Sequence, residues 1–212
     1  TADLGLDKPL AVQYMTMMKQ IFTGQLTSYA KDRNVVQQIW EGVPATFSLC
    51  IGAAVLWMSL AILFGYLSAV HAGRFTDRAL TILSLVGISM PVFWLAAILL
   101  YFFTFKIELF PTSSYVPLTE DPLRWASHLI LPWLTLAVLY VGFYSRVLRS
   151  NMLDVMNEDY VRTARAKGVS ERQVRIRHVL RNSMIPIITL FGLDFGAVVG
   201  GGAILTETVF NI

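Results

Sequence analysis

The chain is short of charge. Only 15% of its 212 residues are Asp, Glu, Lys or Arg, against 55% hydrophobic, where soluble domains carry about 25% charged residues. That shortage excludes a disordered chain and argues against an ordinary soluble enzyme. The single cysteine, Cys50, excludes an intramolecular disulfide and a cysteine-based zinc site. His71, His128 and His178 lie far apart in sequence and suggest no metal cluster. No GxxxxGK[ST] phosphate-binding loop occurs, so ATP chemistry is not expected in this chain.

The shortage is not evenly spread. Gly42 to Gly73, Ala79 to Phe105 and Trp125 to Ser145 contain no Asp, Glu, Lys or Arg, and Asn182 to Thr206 contains only Asp194. Each run reaches the roughly 20 residues a helix needs to cross a bilayer core. None shows the period-2 alternation of an outer-membrane strand. The pattern predicts an all-α, polytopic membrane protein with spans near 45–70, 80–104, 127–148 and 184–206. Pro44 is expected to open the first span, where its missing N–H costs nothing. Pro91, Pro132 and Pro186 fall in or near the starts of the others, where proline bends a membrane helix.

The basic residues set an orientation. The connections His71–Arg78 and Arg146–Arg181 hold 11 of the 17 Lys and Arg residues, whereas 106–124 holds two against Glu108, Glu120 and Asp121. The positive-inside rule puts the two basic connections in the cytoplasm and 106–124 and the first 42 residues outside. Residues 1–43 read as an extracytoplasmic segment and 44–212 as the transmembrane domain. The first segment resembles neither a signal peptide nor a span. Leu10, Tyr14, Met17, Met18 and Ile21 recur at helical spacing, so a short amphipathic helix is expected there. It either packs on the outer mouth of the bundle or lies on the membrane surface. Thr23-Gly24-Gln25 and Lys31-Asp32-Arg33-Asn34 read as turns.

The basic connection 150–182 is the most structured loop. Asp154 to Lys167 reads as a helix with acids at its start and bases at its end, complementing the helix dipole. Gly168 stands where a left-handed C′ residue belongs. Ser170 and Gln173 have the spacing of a capping box, and Val169 and Val174 that of a hydrophobic staple. Two short helices joined at a sharp elbow are expected. The nine basic residues of Arg146–Arg181 suit anionic headgroups, but lipid attraction needs charge and not shape. So exact a joint favours docking of a cytoplasmic partner.

Asp159-Tyr160-Val161-Arg162-Thr163-Ala164-Arg165-Ala166-Lys167-Gly168 resembles the coupling-loop (EAA) signature of ABC importer permeases, and specifically the B-type permease of the dipeptide/oligopeptide/nickel family. Arg162 and Thr163 replace the Glu and first Ala of the general signature, while Ala164, Gly168 and Leu180 match. His178 and Arg181 stand at its Ile and Pro positions. The resemblance continues in Arg177-His178-Val179-Leu180-Arg181-Asn182, Ile185-Pro186, Leu4-Gly5-Leu6-Asp7-Lys8-Pro9-Leu10, Pro44-Ala45-Thr46, Leu109-Phe110-Pro111 and Glu207-Thr208-Val209-Phe210.

This resemblance implies a type I importer transmembrane fold, with four of six expected spans in this chain. It implies a non-enzymatic subunit forming half of a peptide pathway in a bacterial or archaeal cell membrane. Its partners would be a second permease, an extracytoplasmic binding protein and two cytoplasmic ATPases that bind ATP and Mg. No cofactor, metal or nucleic acid is expected on this chain. Nickel or another small solute is the alternative cargo, and a secondary transporter the more distant alternative. Tyr160, Thr163, Ala164, Lys167, Gly168, Ser170 and His178 would form the ATPase-coupling loop.

Within the last span, Gly192, Gly196 and Gly200 form a GxxxGxxxG stripe suited to close helix packing, and the run 200–202 is read the same way. Asp194 lies about 200° from its stripe neighbours at 3.6 residues per turn, on the side of Phe191 and Val198. Two readings stand: a carboxyl satisfied by a neighbouring helix, or a pathway-lining group, with Phe191 and Val198, that meets a cationic substrate group.

Overall fold

The computed structural model describes residues 9–28, 33–111 and 114–212. Leu4 to Lys8 of the family-like motif, and Lys31-Asp32, lie outside these. The described chain is almost entirely helical and forms two compact units that meet between Ala45 and Thr46.

In the first unit, α1 (Leu10–Thr23) is the expected amphipathic helix. Gly24 ends it in the left-handed region, its N–H bonded to the Ile21 carbonyl. The chain then makes a two-strand antiparallel ribbon, β1 (Thr27–Ser28) with β2 (Arg33–Asn34), so Arg33 and Asn34 are strand and not turn. Asn34 caps the next helix: its Oδ1 accepts from the N–H groups of Val36 and Gln37 at 2.9 and 3.2 Å. That helix, α2 (Val35–Val70), begins ten residues before the expected span, so Pro44 lies inside it and does not open it.

In the second unit, α2 leads through a short turn into α3 (Phe75–Ser89) and α4 (Val92–Lys106). These two were expected as one span. They are bent by 102° at the break. Met90 is extended, as the ring of Pro91 requires of the residue before it, and Pro91 has no N–H to carry the ladder across. The last turns of α4, Leu100–Lys106, are wound as a π-helix. Next comes α5 (Pro122–Val155), with Pro122 in its first turn and the Asp121 carboxylate accepting from the N–H groups of Leu123 and Arg124. It is followed by α6 (Asp159–Ala166), α7 (Glu171–Gly202) and α8 (Ile204–Phe210). By length and composition α2, α5 and α7 can each cross a membrane, and the bent pair α3–α4 can supply a fourth crossing.

Helix α5 is the hub; α3, α4, α7 and α8 all pack on it. Glycines bring it close to its neighbours. A Cβ on Gly142 would lie 2.5 Å from the Ser84 carbonyl oxygen of α3, and one on Gly65 of α2 would lie 2.8 Å from the Ser145 carbonyl oxygen. The Trp133 ring covers Gly52 of α2, and its indole N–H donates to the Ser48 carbonyl at 3.1 Å. The stripe Gly192, Gly196 and Gly200 behaves otherwise: among the described residues no neighbouring helix or side chain lies within 4 Å of the positions of their absent Cβ atoms. Close packing therefore occurs at the glycines of α2, α3 and α5, and the expected stripe is left open. Gly201, with φ of 142°, breaks the helical path between α7 and α8.

Candidate functional site

The elbow is built by three local devices. First, α5 ends at Val155, and a turn at Met156–Glu158 separates it from α6, so the helix expected over Asp154–Lys167 is interrupted. Second, α6 ends in a complete Schellman motif. The N–H of Gly168 donates to the Arg165 carbonyl (2.9 Å) and that of Val169 to the Ala164 carbonyl (3.2 Å), with Gly168 at φ of 79°. Third, α7 starts at Glu171 after the extended Ser170. The capping box does not close as expected: the Ser170 hydroxyl bonds to the Gln173 side chain at 3.3 Å and not to a backbone N–H. The second arm is also not short, because it is the beginning of the 32-residue α7.

Side chains then hold the joint. Val161, Ala164, Val174 and Val179 are buried in one apolar cluster with Tyr144, Leu148 and Met152 of α5, and Val169 packs against it. Glu171 accepts from Arg165 Nε at 2.9 Å and lies 3.6 Å from Arg175 Nε, so one carboxylate ties both arms. The Asn182 amide donates to the Tyr160 hydroxyl (2.9 Å) and to the His178 carbonyl (2.8 Å). Of the coupling residues read from the sequence, Tyr160, Thr163, Lys167, Gly168 and Ser170 are exposed and His178 is half-buried. Ala164 is buried. Its small side chain serves packing inside this chain and is not available to a partner's surface. The outward side of the elbow thus offers Asp159, Arg162, Thr163 and Lys167 on a fixed frame.

A second polar site, absent from the sequence reading, braces the same pole. The Asp77 carboxylate at the start of α3 meets Arg149 of α5 in a two-pronged pair, with Nε and the terminal nitrogen at 2.6 and 2.7 Å. It also accepts from the Ser68 hydroxyl at the end of α2 and from the Gly73 N–H at 2.8 Å. Asp77 is buried, so the ends of three helices share one neutralised carboxylate. The available signal was an acid within a first helical turn, but its partner lies 72 residues away.

Deeper in the bundle, Asp194 accepts a 2.6 Å hydrogen bond from the Tyr144 hydroxyl of α5. Phe191 stacks on Phe195 and tilts against Trp57, which stacks on Tyr140. Val198 is buried among Trp57, Leu136 and their neighbours. These three pathway candidates therefore share a side of α7 that turns toward this chain's own helices.

At the opposite end, two family-like motifs meet: the Thr46 hydroxyl donates to Glu207 at 2.6 Å. Phe210 is buried with Ala96 and Leu131, and Phe110 packs against that cluster.

A sequence model of the family described as "Binding-protein-dependent transport system inner membrane component" matches residues 61–212. The chain is 38% identical over 211 residues to a probable peptide ABC transporter permease protein, y4tP, of Sinorhizobium fredii, covering 99% of this chain and 67% of that protein. It is 36% identical over 211 residues to a putative peptide transport system permease protein of Brucella abortus, with the same coverage. It is 36% identical over 229 residues to the di/tripeptide transport system permease protein DppB of Pseudomonas aeruginosa, covering 98% and 68%. A bundle of bilayer-length helices, an elbow that carries the family-like sequence signature and these matches lead to one assignment: the chain belongs to the family of binding-protein-dependent transport system inner membrane components.

Proposed function

We propose that the chain is a permease subunit of an ATP-driven importer of di- or oligopeptides and forms half of its translocation pathway. A second permease supplies the other half, and an extracytoplasmic binding protein delivers the peptide. Two cytoplasmic ATPases hold ATP and Mg and grip the elbow. The basic connections face the cytoplasm, and 106–124 faces outward. The observation that carries the coupling role is the joint itself. A Schellman turn, the Arg165–Glu171–Arg175 group and the Tyr160–Asn182 bond fix the angle between α6 and α7. The peptide cargo rests on the names of the relatives at 36–38% identity.

The test is Gly168→Val in the assembled transporter. No atom blocks a Cβ at this position, so the cost comes from the left-handed backbone alone, about 1–2 kcal/mol. The chain should insert normally, while ATPase association falls or hydrolysis uncouples from peptide uptake. Arg172→Gln, on the exposed surface beside the joint, should leave coupling intact. Normal uptake with normal ATPase stoichiometry in Gly168→Val refutes the role of the joint.

A further inference from the structure

Ser170, Arg172, Gln173, Ile176, Arg177 and Arg181 line an open groove of about 610 Å³ at the start of α7. Its three arginines differ from those beside them. Arg165 and Arg175 share Glu171, whereas among the described residues Arg172, Arg177 and Arg181 have no carboxylate within ion-pair distance. Three guanidinium groups along about ten residues of one helix repel one another and call for an anion. Each presents a planar fork of donors that matches a phosphate.

The position of the groove along α7 selects the kind of phosphate. Asn182 to Gly200, the last residue before the Gly201 break, is 19 residues, about 28 Å of helix, close to the roughly 30 Å hydrocarbon core. Arg181 then falls at the edge of that core, Arg177 about 6 Å outside it and Arg172 about 14 Å outside. Ile185 and Ile188 follow Arg181 by four and seven residues, on the same helix side, and both are exposed. A ligand seated here meets cations at one end and apolar surface at the other. We infer that this groove binds the headgroup phosphate of an anionic phospholipid whose acyl chains run along Ile185 and Ile188. The inference rests on the reading that α7 crosses the bilayer.

The test uses the assembled transporter in detergent, titrated with phosphatidylglycerol or phosphatidylcholine, with bound lipid counted by native mass spectrometry. Phosphatidylglycerol should bind preferentially. Each Arg→Gln change should weaken it about fivefold, and the triple change Arg172→Gln/Arg177→Gln/Arg181→Gln on the order of a hundredfold. Lysine at all three positions keeps the charge but loses the fork, so it should bind more tightly than the triple glutamine variant and less tightly than the wild type, and Arg124→Gln, at the other pole, should change nothing. Equal phosphatidylglycerol binding by the wild type and the triple variant overturns the site. So does release of the lipid by millimolar inorganic phosphate, which would make the groove a soluble-anion site. Binding-protein-stimulated ATP hydrolysis is read on the same samples. An active transporter without lipid preference overturns this inference alone, whereas missing ATPase partners in the wild type count against the permease reading.

Discussion

Removing Arg149 should damage the protein more than neutralising its partner Asp77. In Arg149→Met the Asp77 carboxylate keeps only the Ser68 hydroxyl and the Gly73 N–H, in a site where its side chain is 5% exposed. Breaking a buried pair this way costs about 3–5 kcal/mol. Arg149 itself is 31% exposed, which places the expected cost near the lower end, about 3 kcal/mol. In Asp77→Asn the carboxamide oxygen still accepts from the Ser68 hydroxyl and Arg149 Nε, but its NH2 replaces the oxygen that accepted from the Gly73 N–H and the other Arg149 nitrogen, and the partly exposed Arg149 can turn that nitrogen to water. The loss is then mainly the charged part of two hydrogen bonds, about 1.5 kcal/mol. The double variant leaves no buried charge and should cost about 2.5 kcal/mol, giving a coupling near 2 kcal/mol. For a chain of this size Arg149→Met corresponds to a fall in Tm of about 6–12 °C. Thermal unfolding of the four forms in one detergent measures the cycle. Additivity within about 0.5 kcal/mol, or Asp77→Asn as damaging as Arg149→Met, would refute the claim that the carboxylate is the group at risk.

The remaining predictions concern orientation, Asp194 and the glycine contacts. With Cys50 replaced, a cysteine at Ser114 should react with an impermeant reagent from outside intact cells and one at Ser170 should not; labelling of Ser170 from outside overturns the orientation. Asp194→Asn keeps an acceptor for the Tyr144 hydroxyl and should preserve uptake across pH, whereas Tyr144→Phe should cost about 1–3 kcal/mol of stability. A changed peptide range or pH profile in Asp194→Asn would instead establish a pathway carboxylate. Gly142→Ala brings a Cβ to 2.5 Å from the Ser84 carbonyl oxygen and 2.8 Å from Ile88, so it should force α3 and α5 apart and lower Tm, while Gly192→Ala should not destabilise the isolated chain.

What could be read from the sequence depended on how local each cause is. Exclusion of charge from a span is a property of its own residues, so the crossings near 45–70 and 127–148 lie within α2 and α5, and most of 184–206 lies within α7, its last residues passing the Gly201 break into α8. Gly168 announced its left-handed turn because the backbone there favours a residue without a Cβ. Proline was ambiguous. Pro44, Pro132 and Pro186 sit inside continuous helices, whereas Pro91 divides α3 from α4 by 102°. The ring imposes the same loss on each ladder, and the surrounding helices decide whether the chain bends or turns. Glycine spacing is silent on partners for a related reason: a stripe shows that an approach is sterically allowed but not which helix makes it. The partners of Asp77 and Asp194 lie 72 and 50 residues away, and only the folded bundle brings them together.

These contacts divide the second unit into parts held in different ways. Helices α2, α3 and α5 are joined at backbone distance by Gly65, Gly87 and Gly142 and are pinned by Asp77 and Arg149. Sliding one past another would drive carbonyl oxygens into neighbouring atoms. Helix α7 meets α5 through side chains, in the cluster around Tyr144, Leu148 and Ile187 and the Tyr144–Asp194 bond. Such contacts can exchange partners without a backbone clash. No loop interrupts α7 between Glu171 and Gly200; its turns at Val174–Leu180 are π-helical, and the break comes only at Gly201. A displacement applied at α6 therefore passes through the Gly168 joint directly to the depth of Asp194. Among the described residues, none covers the face carrying Ile185, Ile188, Gly192 and Gly196. On the proposed permease reading, a moving element that ends at the pathway would need this combination: a stiff length, a fixed joint at its driven end and side-chain packing on the helix it moves against.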